Sequence, residues 1–115
     1  MIDLQNRAQE YAEAEAKDLE IVFNEGVYNE EPCTLLEYIA NQLELEYIVT
    51  SGDECTGVIV TLTFGGPSCY LIQHYGSARI ECYWGAEQAI YHLSGDIARA
   101  IGELAAELYG VIQCA

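Results

Sequence analysis

The sequence predicts an α+β fold: two N-terminal helices, an antiparallel β-meander of three to five strands, and a C-terminal helix. Three observations predict it. Apolar residues recur at a helical period through the first part of the chain, the period changes to two after Glu44, and a helical stripe returns after Ser94. With 115 residues of which 51% are hydrophobic, the chain can build one core and is too short for two ordinary domains, so residues 1–115 are expected to form a single unit.

From Asp3 to about Phe23, Leu4, Ala8, Tyr11, Ala12, Leu19 and Val22 fall on one side of a helical wheel, while Asn6, Glu10, Glu13, Lys17 and Glu20 fall on the other. Glu15 lies inside the apolar stripe, which places it either at the edge of the buried face or against a partner. Glu13 and Lys17 form one favourable i,i+4 pair, and Gly26 supplies a stop. A second helix starts near Pro32 or Thr34, because "TLLE" offers a capping box between Thr34 and Glu37. Its stripe is Leu35, Leu36, Ile39 and Leu43.

"LEYIVT" then reads as a strand, "SGDECTG" as a turn region and "VIVTLTF" as a second strand with Val58, Val60, Leu62 and Phe64 on one face. "GGP" at Gly65 to Pro67 breaks it. "CYLIQHYGSARIECYWG" reads as a hairpin turning about Gly76-Ser77. Cys69, Leu71, Ile80, Cys82 and Trp84 share its core face, while Tyr70, Ile72, His74, Arg79, Glu81 and Tyr83 share the other. "AEQAIYHL" fits a short strand or a loop. Ser94 caps the last helix, whose stripe is Ile97, Ile101, Leu104, Ala105 and Leu108, with Gly110 expected at the C′ position.

Charge is the most unusual property. Nineteen Asp and Glu against four Lys and Arg give a formal charge of −15, beyond what solubility asks of a small domain. Residues 1–54 hold 14 of the acids against Arg7 and Lys17, a net −12; residues 55–115 hold 5 against Arg79 and Arg99, a net −3. The acids alternate with core-forming residues, so they belong to a folded surface and not to a disordered tail. Such a chain repels nucleic acid and anionic lipid.

Five widely spaced cysteines, Cys33, Cys55, Cys69, Cys82 and Cys114, show no CxxC or Cys/His cluster. That pattern argues against a zinc motif and against a disulfide framework, and for reduced, buried thiols. No basic segment leads into an apolar run, and no apolar stretch approaches the ~20 residues of a membrane span, which makes a cytoplasmic location the expectation.

Catalytic chemistry finds little to stand on. His74 is expected opposite Arg79 and diagonal to Glu81, so an acid/base pair can be drawn, but no nucleophile or oxyanion turn accompanies it. "FGGPS" lacks the Lys-Ser/Thr and the following helix of a phosphate loop, and "SGDEC" lacks the spacing of a calcium loop. No cofactor and no metal are expected.

Nine tyrosines are many for this length. Tyr70, Tyr83 and Tyr47 decorate strands, where they serve either cross-strand packing or a protein interface. The acidic field argues against base stacking, which is accompanied by basic grooves. "YAEAEAKDLE", Tyr11 to Glu20, sets four carboxylates against Lys17 alone. Carboxylates three to seven residues apart on a helix are separated by roughly 5–10 Å, comparable with a few steps of ~3.4 Å along a nucleic-acid strand. A row of Glu10, Glu13 and Glu20, continued by Glu30, Glu31, Glu37 and Glu44, can therefore imitate part of a phosphate track. The alternative is that these acids form a solvated coat.

Acidic density on a small α+β domain, with "GGPSCYLI" and "IECYWG", resembles small proteins of phages and conjugative elements, including anti-CRISPR and antirestriction proteins that mimic DNA. The resemblance implies a non-enzymatic inhibitor in the bacterial host cell, whose partner is a basic nucleic-acid-binding protein such as a CRISPR effector or restriction enzyme. Glu10, Glu13, Glu20, Glu30, Glu31, Glu37 and Glu44, with Tyr70 and Tyr83, are the expected partner-binding residues. The alternative is a structural or regulatory interaction module, a homodimer through the sheet face that carries Tyr70, Ile72 and Tyr83.

Overall fold

Five strands follow one another in space as they do in sequence in the computed structural model, which describes residues 7–114. They are β3 (Glu44–Val49), β4 (Cys55–Thr63), β5 (Ser68–His74), β6 (Ser77–Trp84) and β7 (Glu87–His92), all antiparallel. Before them come helix α1 (Arg7–Glu25), a hairpin of β1 (Val27–Tyr28) and β2 (Glu31–Pro32), and the short helix α2 (Leu35–Ala40). Helix α3 (Gly95–Cys114) closes the chain. The fold is thus α+β, with a long N-terminal helix, a five-stranded meander and a C-terminal helix. The expected helix start at Asp3 and Leu4 lies outside the described residues.

Helix α1 packs on β6 and β7, and α3 packs on β4, β5 and β6. Both use the same face of the sheet, where Val58, Val60, Leu62, Cys69, Leu71, Ile80, Cys82 and Ala89 are buried with Ala8, Ala12, Ala16, Leu19, Ile97 and Ile101. The alanines of α1 recur every four residues, so the helix approaches the strands closely at its N-terminal half. That terminus is capped from a distance: Glu87 Oε1 accepts from the Arg7 N–H at 2.8 Å, meeting one of the helix's free donors. Gly26, at φ 68°, donates its N–H to the Val22 carbonyl and ends α1 as expected, since a left-handed C′ residue is easiest for glycine.

Several local expectations are corrected. Pro32 sits in the two-residue strand β2, and α2 starts after Thr34, whose hydroxyl accepts from the Glu37 N–H while the Glu37 carboxylate accepts from the Thr34 N–H. This is the expected capping box. The helix lasts only six residues, so Leu43 leaves the helical period and donates its backbone N–H to the Thr61 carbonyl; Leu36 and Leu43 are exposed, and Tyr38 takes the buried place beside Ile39. Phe64 is also exposed, because a bulge at Leu62 ends the alternation: Thr61 pairs with Tyr70, yet Thr63 pairs with Cys69.

"AEQAIYHL" resolves as strand β7. The β5–β6 turn is Tyr75-Gly76, one position earlier than expected, with His74 opposite Ser77. Tyr75 adopts φ 53° there, held by its N–H to the Thr56 carbonyl and by its own carbonyl accepting from Gln73 Nε2. Arg79 therefore pairs with Ile72 and His92, and Glu81 with Tyr70 and Ile90, so the His74–Arg79 opposition is not formed. Helix α3 runs through Gly110, which is no C′ residue. Tyr109 and Gln113, one turn apart, both donate to the Asp53 carboxylate and draw the last turns onto the β3–β4 loop.

The expectation of five reduced thiols is likewise corrected. Cys69 and Cys82 are direct register partners with Cα atoms 4.2 Å apart, and their sulfurs are bonded. Neighbouring strands bring facing side chains this close, a relation that spacing along the chain does not reveal. Cys33 and Cys55 are free and half-buried.

Candidate functional site

The two sides of the sheet differ in kind. Helices α1 and α3 cover one; among the described residues no element covers the other, which carries Ile59, Thr61, Tyr70, Ile72, Arg79, Glu81, Tyr83 and Ile90 in cross-strand ladders. Alternation dictates this, since each of these residues is one position out of phase with a buried one.

The expected partner-binding residues divide between the two sides. Glu10 and Glu13 are exposed and Glu20 half-buried on α1; Glu30 and Glu31 are exposed at the β1–β2 hairpin, and Glu37 on α2. All of these elements belong to the helical side. Glu44, Tyr70 and Tyr83 belong to the open sheet face. One contiguous phosphate-like row through Glu10, Glu13, Glu20 and Glu44 is thus not formed, because the sheet lies between α1 and the open face.

The carboxylates of α1, the hairpin and α2 make no ion pair among the described residues, and the expected Glu13–Lys17 pair is not formed. Among the described residues the ion pairs are Arg79–Glu81 and Arg99–Asp96, neither of which involves α1, the hairpin or α2. Glu37 has a structural task as a cap, and the Thr34 backbone N–H that its carboxylate accepts from, followed by the Thr34 side chain, holds it below the usual carboxylate range. Glu15 sits half-buried at the edge of the α1 stripe, within electrostatic reach of Tyr38, and burial, then the charge of Asp18, pushes its carboxyl up. Hairpin residues Asn29 and Glu30 take φ 51° and 65°, the pair of positive values that a two-residue turn of right-handed twist requires. That turn directs Glu30 and Glu31 outward on a short, fixed arm.

On the open face a polar network surrounds the aromatic pair. Arg79 Nε donates to Glu81 Oε2 at 2.5 Å, and Tyr83 donates to Glu81 Oε1 at 2.8 Å. Burial acts to raise Glu81, but the Arg79 and Tyr83 hydrogen bonds and the Arg79 charge outweigh it and leave the carboxyl lowered. Tyr70 and Tyr83 meet edge to face with centroids 6.2 Å apart. At the corner of this face Leu43, Glu44, Glu46, Thr61, Phe64 and Tyr70 enclose a notch of about 330 Å³. Leu43 and Phe64 are 67% and 76% exposed, so an apolar rim stands beside two carboxylates that make no ion pair among the described residues. This notch was invisible in the sequence, where Leu43 and Phe64 carried the periodicity of core residues.

No group of three or more His, Cys, Asp or Glu among the described residues has the arrangement of a metal site. No helix among them is long and apolar enough to cross a membrane. Comparison with known protein families, with curated proteins and with solved structures finds nothing that matches this chain.

Proposed function

We propose that this protein is a non-enzymatic inhibitor of the anti-CRISPR or antirestriction kind, acting by seating its acidic helical side in the basic DNA or RNA channel of a nucleic-acid-targeting complex. The observation that carries this reading is the set of carboxylates on α1 and the β1–β2 hairpin, none of which makes an ion pair among the described residues. Rigid elements present them: α1 is anchored to the sheet by five buried residues, and the hairpin turns within two. The backbone that carries these carboxylates is already ordered when a basic groove closes on it, and their field accelerates encounter with that groove. This reading puts the protein in the cytoplasm of the host cell, where its target works and where the Cys69–Cys82 bond is an exception to the reduced thiols usual there.

The test is competition for labelled duplex DNA on a panel of purified CRISPR effector and restriction complexes. Displacement that weakens steeply as salt rises through the physiological range, where screening lengths are roughly 8–10 Å, supports the proposal. Absence of displacement from every complex at low salt rejects it.

A second reading has its own observation. The open sheet face presents half-buried Ile59, Ile72 and Tyr70 with exposed Tyr83 and Ile90, which is amphipathic enough for a second copy of the chain. Sedimentation velocity at high salt separates the two readings: a dimer joined through this face persists there, whereas an electrostatic complex dissociates.

A further inference from the structure

A cleft of about 740 Å³ lies where the first turns of α3 cross the β4 and β5 ends, lined by residues that include Glu54, Thr56, Gln73, Asp96, Arg99 and Glu103. Its volume falls within the ~300–1,000 Å³ of small-molecule sites. We infer that it binds a small organic cation bearing N–H donors, an ammonium or guanidinium head on a short apolar stem. This inference does not rest on the acidic helical side.

Gln73 is the first reason. It occupies a core position of β5 at 1% exposure, where Leu71 and Cys69 before it are apolar. Its Nε2 donates to the Tyr75 carbonyl at 2.6 Å, which fixes the amide's orientation and leaves Oε1 as the acceptor. Oε1 is buried and has no partner. Buried side-chain acceptors are nearly always paired, so an orphan on the wall of a cleft marks a position where a donor belongs.

Gly102 is the second. It stands in the interior of α3, where glycine is the poorest helix former after proline. A Cβ at this position would lie 2.9 Å from Gln73 Nε2 and 3.3 Å from its Cδ. Of the two glycines inside α3, Gly102 is the one whose missing Cβ leaves the amide its room, since at Gly110 a Cβ would meet nothing within 4 Å. A buried polar side chain and a mid-helix glycine, each unfavourable for folding, thus meet at the same cleft.

Charge selects the ligand's sign. Glu54, Asp96 and Glu103 stand against Arg99, whose Nη2 is held by Asp96 Oδ1 at 3.0 Å. Glu54 and Glu103 remain unpaired among the described residues, which favours a cation. The Gln73 acceptor adds a requirement for N–H that a quaternary ammonium cannot meet. The exposed Tyr75-Gly76 turn also lines the cleft, and the Tyr75 carbonyl holds the amide in place.

The full chain, labelled with 15N, is titrated with propylguanidinium and, at equal ionic strength, with tetramethylammonium. Saturable shifts at the Gln73 side-chain amide and at the Thr56 and Gly102 backbone amides are expected with propylguanidinium only. Q73M should weaken that binding at least tenfold, and so should Glu54→Gln with Glu103→Gln, a pair of exposed positions whose substitution leaves the core intact. Equal affinity for tetramethylammonium, shifts that follow α1 instead of the cleft, no saturable shift, or unchanged affinity in the Glu54/Glu103 variant each overturns the inference.

Discussion

Glu44 and Tyr70 flank the same residue: Thr61 of β4 is the register partner of Glu44 on one side and of Tyr70 on the other. An edge-strand carboxylate and an aromatic ring are thereby brought to one notch, although 26 positions separate them in the chain. The acids of α1 stand on the far side of the sheet, so charge and aromatic surface are experimentally separable.

Charge reversal tests the helical side. E10K/E13K/E20K should slow association with the inhibited complex by tenfold or more and change dissociation little, because steering charges act on encounter. Glu37 is left out, since its carboxylate closes the Thr34 capping box. Stopped-flow binding at two salt concentrations measures the effect, and an unchanged association rate would reduce these carboxylates to a solvated coat.

Removing caps should cost stability. Thr34→Ala deprives the Glu37 N–H of its acceptor, and Glu87→Ala deprives the Arg7 N–H of its own; each should lower the unfolding free energy by about 1 kcal/mol in urea titrations. Leu71→Ala, at 0% exposure in the sheet, should cost about 2–5 kcal/mol by the same measurement.

Trp84 reports on the α1–β6 contact. Its ring lies 5.7 Å from that of Tyr11 with the residue 36% exposed, so acrylamide should quench it at a rate between that of a buried indole and that of free tryptophan. Tyr11→Ala should move the rate toward the free value. A quenching rate unaffected by Tyr11→Ala would show that the helix does not shield this ring.

Thiol labelling tests the β5–β6 link. Under denaturing, non-reducing conditions Cys33 and Cys55 should alkylate, whereas Cys69 and Cys82 should resist until reductant is added. Peptide mass spectrometry should find the latter two joined. Alkylation of both before reduction would restore the expectation of reduced core thiols.

Glu15 gives a pH dependence with a definite sign. Its folded-state pKa is raised above 4.5, so the folded protein holds that proton more tightly than the unfolded chain does. The stability it contributes is present below pH 4.5 and is lost as pH rises through the raised value. Glu15→Gln should therefore raise the melting temperature at pH 7, and the difference from the parent should vanish below pH 4.5. Glu37 and Glu81, both lowered, act in the opposite direction: the stability they contribute is present above 4.5 and falls away in acid.

Local rules by themselves determined the elements and their faces. The Thr34 box, the Gly26 stop, the Ser94 cap and the alternation of Cys69, Leu71, Ile80 and Cys82 depend on neighbours within a turn or on a period of two, and all are legible in the chain. Tertiary structure alone decided register and pairing. A shift of two residues between β5 and β6 leaves every side chain on its face, so alternation could not distinguish a turn at Gly76-Ser77 from one at Tyr75-Gly76. The hydrogen bonds of Tyr75 to Thr56 and Gln73 made that choice, and with it Cys69 met Cys82. Likewise α3 passes Gly110 because Asp53, far away in sequence, holds Tyr109 and Gln113. The division of the acids between two sides of the sheet and the meeting of Gln73 with Gly102 have the same origin: both are relations between strands and helices that only packing brings together.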